Sequence, residues 1–177
     1  GPVRILSGPS GLARDLLLGA KTLREDAPLP GRLELWAVDL DFSGEVLAEA
    51  TRRAEAVDVD LVVLKEDLLN PTGLQRTFQE KPLHVFNSMG LTPWLDIEDV
   101  VKLFETAHSL LVPEGALLID NFRVSPQSKF SRDLEIHTRY HTDRDFEEGL
   151  RSAGFEIERK QETRNHINVV YTARKRS

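Results

Sequence analysis

Residues 5–17, ILSGPSGLARDLL, carry an apolar run into a Gly-Pro-Ser-Gly turn and straight on into a helical pattern. Two further apolar runs end in acids. LELWAVDL at 33–40 holds Asp39, with Asp41 just beyond it, and DLVVL at 60–64 is followed by Glu66 and Asp67. In an open parallel sheet the carboxyl ends of such strands share one crevice, and ligands bind there where the strand order reverses. Gly8 lets a ligand approach the backbone closely. A carboxylate at Asp39 can accept the hydrogen bonds of a ribose diol. Asp67 can receive an adenine amino group, or Leu68 can offer backbone groups beside the ring. The pattern points to a nucleoside-bearing ligand held by Ser7, Gly8, Pro9, Ser10, Asp39, Leu40, Asp67 and Leu68, with Asn87 and Ser88 closing the site from the fourth strand.

Two cofactors compete for such a site. The NAD fingerprint is G-x-G-x-x-G with an acid about 20 residues further on. Here the turn has only Gly8 and Gly11, and Asp39 lies well beyond that spacing. A pyrophosphate also wants an unobstructed helix N-terminus, which Pro9 and Ser10 crowd. S-adenosylmethionine has no phosphate, and its methionine and sulfonium tolerate a looser glycine pattern, so it is the cofactor the turn favours.

Positioning these residues requires strands and helices in alternation. Strands are expected at Val3–Leu6, Leu33–Leu40, Asp60–Leu64, Leu83–Asn87 and Ala116–Phe122. Ser10, Ser43, Asp96 and Thr142 are placed to cap the helices between and after them. The first helix would present Leu12, Leu16, Leu17, Ala20 and Leu23 on one face, and the second Val46, Leu47, Ala50, Ala54 and Val57. Pro113-Glu114-Gly115 reads as the stop of the fourth-strand helix, Gly154 as a left-handed cap, and 70–81 as a loop with a short helix. Phe155–Glu162 and His166–Ala173 alternate as two antiparallel strands about a turn at Thr163-Arg164-Asn165. Five near-continuous apolar strands separated by helices imply a doubly covered, mostly parallel sheet. The expected fold is therefore α/β: a Rossmann-like, doubly wound, seven-stranded sheet, mostly parallel with an antiparallel C-terminal hairpin.

Composition narrows the partners. The chain has 177 residues, enough for one domain, and a net charge of -6. Phosphate backbones need clustered Lys and Arg, and the only such cluster is the tail Arg174-Lys175-Arg176, so no nucleic-acid partner is expected. No cysteine is present, which excludes disulfides and thiolate metal sites and permits a reducing compartment. No apolar run approaches the roughly 20 residues of a membrane span. A cytoplasmic location is the expectation. The Gly-Pro start without Met reads as a processed or cut-down chain.

The order of elements, VDLD closing the second strand, LLVPEGALLI leading into the fifth, and the final hairpin together resemble a class I S-adenosylmethionine-dependent methyltransferase. Three stretches, SGPSGLARDL, NSMGLTPWLD and LLIDNFRVSP, are similar to a bacterial branch that includes the 3-hydroxy fatty acid carboxyl methyltransferases. The matching residues are Ser7, Gly8 and Pro9, then Ser88, Gly90, Leu91, Trp94 and Leu95, then Asn121 and Phe122. The sequence departs from the superfamily pattern where the turn's first and third glycines fall on Leu6 and Ser10, and where the strand-one and strand-four acids fall on Arg4 and His84. The resemblance implies S-adenosylmethionine as cofactor and a small-molecule carboxyl or hydroxyl acceptor. It further implies one domain over 1–177 without the N-terminal cap helices of relatives. The eroded turn and those missing helices keep a second reading open, a catalytically silent binding or interaction domain on the same fold.

Methyl transfer is an in-line displacement that alignment alone can accelerate, and a base is needed only if the acceptor carries a proton. Asn87, Asn121 and His141 are the candidates to face the transferred methyl, and Met89 and Trp94 can line an apolar acceptor pocket. Each has a plainer alternative: Asn87 bonding loop backbone, Trp94 packing in the core, Asp39 a solvated strand end. His137, Tyr140 and His141 can face the acceptor across the strand ends. His137 and His141 are four apart without an H-E-x-x-H pattern, His84 reads as a satisfied histidine, and no metal site is expected. No G-x-S-x-G elbow is present for a serine hydrolase.

Overall fold

A computed structural model describes residues 1–10, 13–26, 32–40, 43–57, 59–123, 138–164 and 168–177, with backbone only at 14, 15 and 23–26. Seven strands form one sheet: β1 (Val3–Ser7), β2 (Leu33–Asp39), β3 (Asp60–Lys65), β4 (Leu83–Ser88), β5 (Leu111–Phe122), β6 (Phe155–Glu162) and β7 (Asn168–Lys175). Their spatial order is β3-β2-β1-β4-β5-β7-β6. All neighbours are parallel except β5 with β7 and β7 with β6. The order reverses between β1 and β4, where Ser7 lies level with Asn87. The crevice that this reversal opens is where such sheets bind ligands.

Among the described residues five α-helices cover the sheet: α1 (Arg14–Asp26), α2 (Gly44–Ala56), α3 (Thr72–Phe78), α4 (Ile97–Leu110) and α5 (Asp143–Ser152). Side chains alternate along each strand, so adjacent residues feed two cores. Ile5, Leu35 and Ala37 meet Leu16, Leu17 and Ala20 of α1 and Ala54 of α2. Leu6, Trp36, Val38, Phe86 and Leu117 meet α3, α4 and α5 through Leu74, Phe104 and Phe146. The fold is the doubly covered, mostly parallel sheet with an antiparallel hairpin that the strand pattern predicts.

The helix starts follow local chemistry. Ser43 accepts the Val46 amide at 3.4 Å, Asp96 the Asp99 amide at 3.0 Å, and Thr142 the Asp145 amide at 3.1 Å. Each satisfies an N–H that the first helical turn leaves without an internal partner. Gly154 has φ +90° and sits so close to His108 that a Cβ would stand 2.7 Å from Nε2, so both conformation and space require glycine there.

Three expectations need correction. Ser10 does not cap α1, which begins at Arg14; its hydroxyl donates to the Val38 carbonyl at 3.1 Å. Leu47 is 42% exposed rather than part of the buried face of α2, where Ala50 and Ala54 lie. Pro113-Glu114-Gly115 does not end α4. The helix stops at Leu110, Leu111 is already extended, and the Pro-Glu-Gly stretch forms an irregularity inside β5, with Leu111 beside Leu83 but Ala116 beside Val85. Glu114 takes φ +61° there, as an inserted residue in a bulged strand often must. The last strand is described from Asn168 to Lys175, and the expected start at His166 lies outside the described residues. Leu12, Leu23, Asn165 and His166 lie outside the residues whose side chains are described.

Candidate functional site

The turn after β1 is tied to both of its neighbours. Gly8 donates its amide to the Asn87 carbonyl at 2.9 Å, and Ser10 gives both its amide and its hydroxyl to the Val38 carbonyl at 3.1 Å. The Asn87 side-chain amide donates to the Ser7 hydroxyl at 3.0 Å, so Asn87 bonds across the switch point, not to loop backbone. Between these groups lies a small polar hollow of about 80 Å³, lined by Ser7, Ser10, Asn87, Met89 and the apolar edge of Pro9, Ala13 and Leu16.

On the other side of Pro9 a larger, mostly apolar hollow of about 160 Å³ opens over the ends of β2 and β3. Asp39, Leu40, Glu66, Asp67 and Leu68 form one side, and Leu91 and Leu95 reach it from the loop after β4. The Glu66 amide donates to the Asp39 carbonyl at 3.2 Å, which fixes the two strand ends side by side. Asp67 accepts the Leu69 amide on Oδ1 at 2.8 Å, an Asx turn that leaves acceptor capacity on the carboxylate. Leu40, 62% exposed, stands at the mouth. Three carboxylates line this hollow, with no Lys or Arg among its described lining residues. Pro9 lines both hollows, so they adjoin as one cleft with an acidic, apolar half and a neutral, polar half.

Gly8 is needed for a reason internal to the protein. A Cβ at that position would lie 3.0 and 3.3 Å from the Leu68 methyls and 3.2 Å from the Val38 carbonyl. The room beside the glycine is taken by Leu68, which packs over the turn.

Other candidates from the sequence gather at the ends of β4 and β5 but line neither hollow. Ser88 and Asn121 are fully buried. Asn121 donates its side-chain amide to the His141 carbonyl at 3.2 Å, while its Oδ1 and the Ser88 hydroxyl have no partner among the described residues. The buried His141 ring sets Nε2 3.1 Å from the Leu95 carbonyl and 3.4 Å from that of Thr92; only a protonated Nε2 satisfies those acceptors. The Tyr140 hydroxyl accepts from Thr138 at 3.0 Å. Trp94 is not in the core: it is 59% exposed on a single 3₁₀ turn at Thr92–Trp94, and it lines neither of these two hollows. Met89 does line the polar hollow. His84 accepts the Arg4 amide on Nδ1 at 3.1 Å, and burial lowers its pKa. His137 lies outside the described residues.

One group escapes a reading of the sequence. Asp120, 2% exposed, sits near the end of β5 and takes hydrogen bonds from Gly90 and Asn168. Its only sequence signal is an acid closing the apolar run LLID.

No family model and no curated protein matches the chain in sequence. Solved structures do. The chain superposes on a "possible exported protein" of Bordetella parapertussis with a TM-score of 0.80 at 22% identity, covering 99% of this chain and 62% of that one. It superposes on an O-methyltransferase family protein of Burkholderia thailandensis with a TM-score of 0.70 at 17% identity, covering 99% and 51%. Against the magnesium protoporphyrin IX methyltransferase of Synechocystis PCC 6803 with bound S-adenosylhomocysteine, the TM-score is 0.68 at 15% identity, covering 99% and 74%. These structures share with the chain the Rossmann-like, mostly parallel seven-stranded sheet with its antiparallel hairpin. At these identities the likeness establishes architecture alone. The chain spans less than two thirds of the Bordetella and Burkholderia proteins. Among the described residues no helix is long and apolar enough to cross a membrane.

Proposed function

We propose that this chain binds S-adenosylmethionine in the cleft on both sides of Pro9 and serves methyl transfer to a small-molecule acceptor through a carboxyl or hydroxyl group. The observation that carries the reading is the two-part cleft at the β1/β4 switch point, acidic and apolar on the nucleoside side and neutral and polar on the other. Three carboxylates oppose the pyrophosphate of a dinucleotide, whereas they suit a sulfonium cation. In this reading Asp39 accepts the ribose hydroxyls, and Asp67 with the backbone at Leu68 receives the adenine edge. Leu40, Leu91 and Leu95 cover the base. Ser7, Gly8, Pro9, Ser10 and Asn87 surround the methionine portion. The bound cofactor would supply a methyl group on a positively charged sulfur; the protein's part is alignment and exclusion of water.

Asn87 is the group nearest the acceptor in this arrangement, held in place by Ser7. Asn121 and His141 act behind it, fixing the strand ends, and Ser88 is buried beside them. The bacterial carboxyl methyltransferase branch remains the proposed closer relationship, carried by the SGPSGLARDL, NSMGLTPWLD and LLIDNFRVSP stretches. A cytoplasmic location belongs to the same reading, because the cofactor is an intracellular metabolite; the description of the Bordetella neighbour as a possible exported protein points the other way. A nucleic-acid partner has no place in it at a net charge of -6.

The packing of Leu68 over Gly8 favours a second reading, a binding or interaction domain that keeps the fold without turnover. Calorimetry separates the possibilities. S-adenosylhomocysteine should bind and NAD should not. Asp39→Ala should weaken binding at least tenfold, since a hydrogen bond to a charged group contributes about 1.5–3 kcal/mol. Binding of NAD instead, or an Asp39→Ala variant that binds like the parent, defeats the cofactor assignment. Binding without transfer of labelled methyl to any carboxyl or hydroxyl acceptor selects the silent domain.

A further inference from the structure

Asp120 is buried near the end of β5, yet among the described residues no cation pairs with it. Its Oδ1 accepts the Gly90 amide at 2.9 Å, its Oδ2 accepts the Asn168 side-chain amide at 3.2 Å, and its main-chain carbonyl accepts the Thr92 hydroxyl at 2.9 Å. Both side-chain partners are donors. Only a carboxylate presents an acceptor at each end; an asparagine would turn its own N–H₂ toward one donor or the other. Burial raises the Asp120 pKa above the ordinary carboxylate range, and these hydrogen bonds hold the rise in check. An ionised acid in such a place is costly to the fold.

What the acid holds is the loop after β4. Gly90 has φ +81°, a left-handed turn that points its amide back at β5. On one side of Gly90, Met89 lines the polar hollow; on the other, Leu91 and Leu95 line the acidic one. Thr92 is anchored to the main chain of the same residue. We infer that Asp120 is a positioning residue for the ligand cleft: by accepting from Gly90 and Asn168 at once, it sets the loop that walls both hollows. A ligand then meets a formed wall and does not have to order one. If the loop samples other positions, apparent affinity falls by the fraction of time the wall is absent. The functional half of this inference rests on the cofactor reading above.

The test uses the whole chain and three variants. Asp120→Asn preserves shape but sets a donor against a donor. It should keep or raise the melting temperature, because a buried charge is removed, while weakening S-adenosylhomocysteine about tenfold or more by calorimetry. The exchange Asp120→Asn with Asn168→Asp restores an acceptor for Gly90 and a donor–acceptor pair between 120 and 168, and should recover most of the affinity. Asn168→Asp alone sets two carboxylates together and should lower stability. A residue with a merely structural role would lose stability and affinity in parallel and would not be rescued by the exchange; that result overturns the inference, as does an Asp120→Asn chain that binds like the parent.

A ligand-free measurement separates this inference from the cofactor reading. In amide NMR spectra the Gly90 proton should shift as pH falls through the raised Asp120 pKa, and the shift should vanish in Asp120→Asn. The Gly90 amide, the Asn168 amide and the Thr92 hydroxyl are the groups on Asp120, and none of them titrates. A Gly90 signal indifferent to pH overturns the positioning role even if the cofactor binds. A titrating Gly90 in a chain that binds no S-adenosylhomocysteine overturns the cofactor reading and leaves the loop anchor standing.

Discussion

Two polar regions lie beside the end of β5, and they are built in opposite ways. Toward α5 and the hairpin, Arg123 pairs with Asp143 and Glu162, and Lys160 reaches Asp143 at 2.6 Å and Glu147 at 2.7 Å. These groups are partly exposed, and each has an opposite charge. Arg123 holds the Asp143 carboxyl down at about 2, and burial pushes the Tyr171 hydroxyl beneath them up to about 12. At the strand ends, by contrast, Asp120, Asn121 and Ser88 are buried, and among the described residues the acid has no cation and Ser88 Oγ, Asn121 Oδ1 and Asn168 Oδ1 have no partner. A fold selected for stability alone favours the first arrangement, in which every charge is compensated. The second spends stability where the chain borders its cleft, as functional sites commonly do.

The largest test of that contrast removes what the charged network rests on. Phe146 is fully buried, edge-on to Phe104 at 5.1 Å and stacked on Tyr171 at 5.2 Å. Phe146→Ala should lower stability by about 3–5 kcal/mol in denaturant unfolding. Ligand affinity measured below the unfolding transition should stay unchanged, because Phe146 lines neither hollow. A variant that folds well but binds poorly would show that the two regions are not independent.

Ser88→Ala probes the other side with a smaller effect of opposite sign. A buried hydroxyl without a partner costs roughly 1–3 kcal/mol, so its removal should stabilise the chain by about 1 kcal/mol. In a chain of this size that is a rise of about 2–4 °C in melting temperature. A loss of stability instead would mean that Ser88 does have a partner, and the strand-end cluster would be less strained than the contrast requires.

What could be read from the sequence was local. Ser43, Asp96 and Thr142 act within a turn of their own positions, Gly154 is marked by its own backbone conformation, and strand alternation gave the layer order. Ser10 failed as a helix cap because a carbonyl 28 residues away claims its hydroxyl. The α4–β5 boundary was misplaced because Leu111 is recruited into the sheet by Leu83, ahead of the Pro-Glu-Gly stretch that looked like the break. At the site, the β1 turn, Asp39 and Asp67 lie around the cleft because strand ends are legible as acids after apolar runs. Asp120 was illegible for the opposite reason. Its partners Gly90 and Asn168 lie 30 and 48 residues away, and only the completed β4-β5-β7 arrangement brings two donors onto one acid. Trp94 carried an apolar signal, yet its short 3₁₀ turn leaves it 59% exposed.

The acid limb of the stability curve distinguishes the two regions with the smallest effect. Asp143 has a folded pKa of about 2, below the roughly 3.9 of an unfolded aspartate. Its pairing therefore contributes stability that is complete above about pH 4 and is lost as pH falls toward 2. Asp120 has the reverse sign. Its folded pKa is raised, so the folded state binds the proton more readily, and stability falls as pH climbs from the unfolded value through the folded one. Arg123→Met should cost no more than about 1 kcal/mol at neutral pH, as expected for partly exposed pairs, and should flatten the limb below pH 4. Asp120→Asn should leave that limb intact and remove the opposing slope above pH 4. Urea unfolding at a series of pH values reads both slopes. If Arg123→Met altered the upper slope, or Asp120→Asn the lower one, the two regions would be electrostatically coupled and the distinction between a self-compensated scaffold and a strained site border would fail.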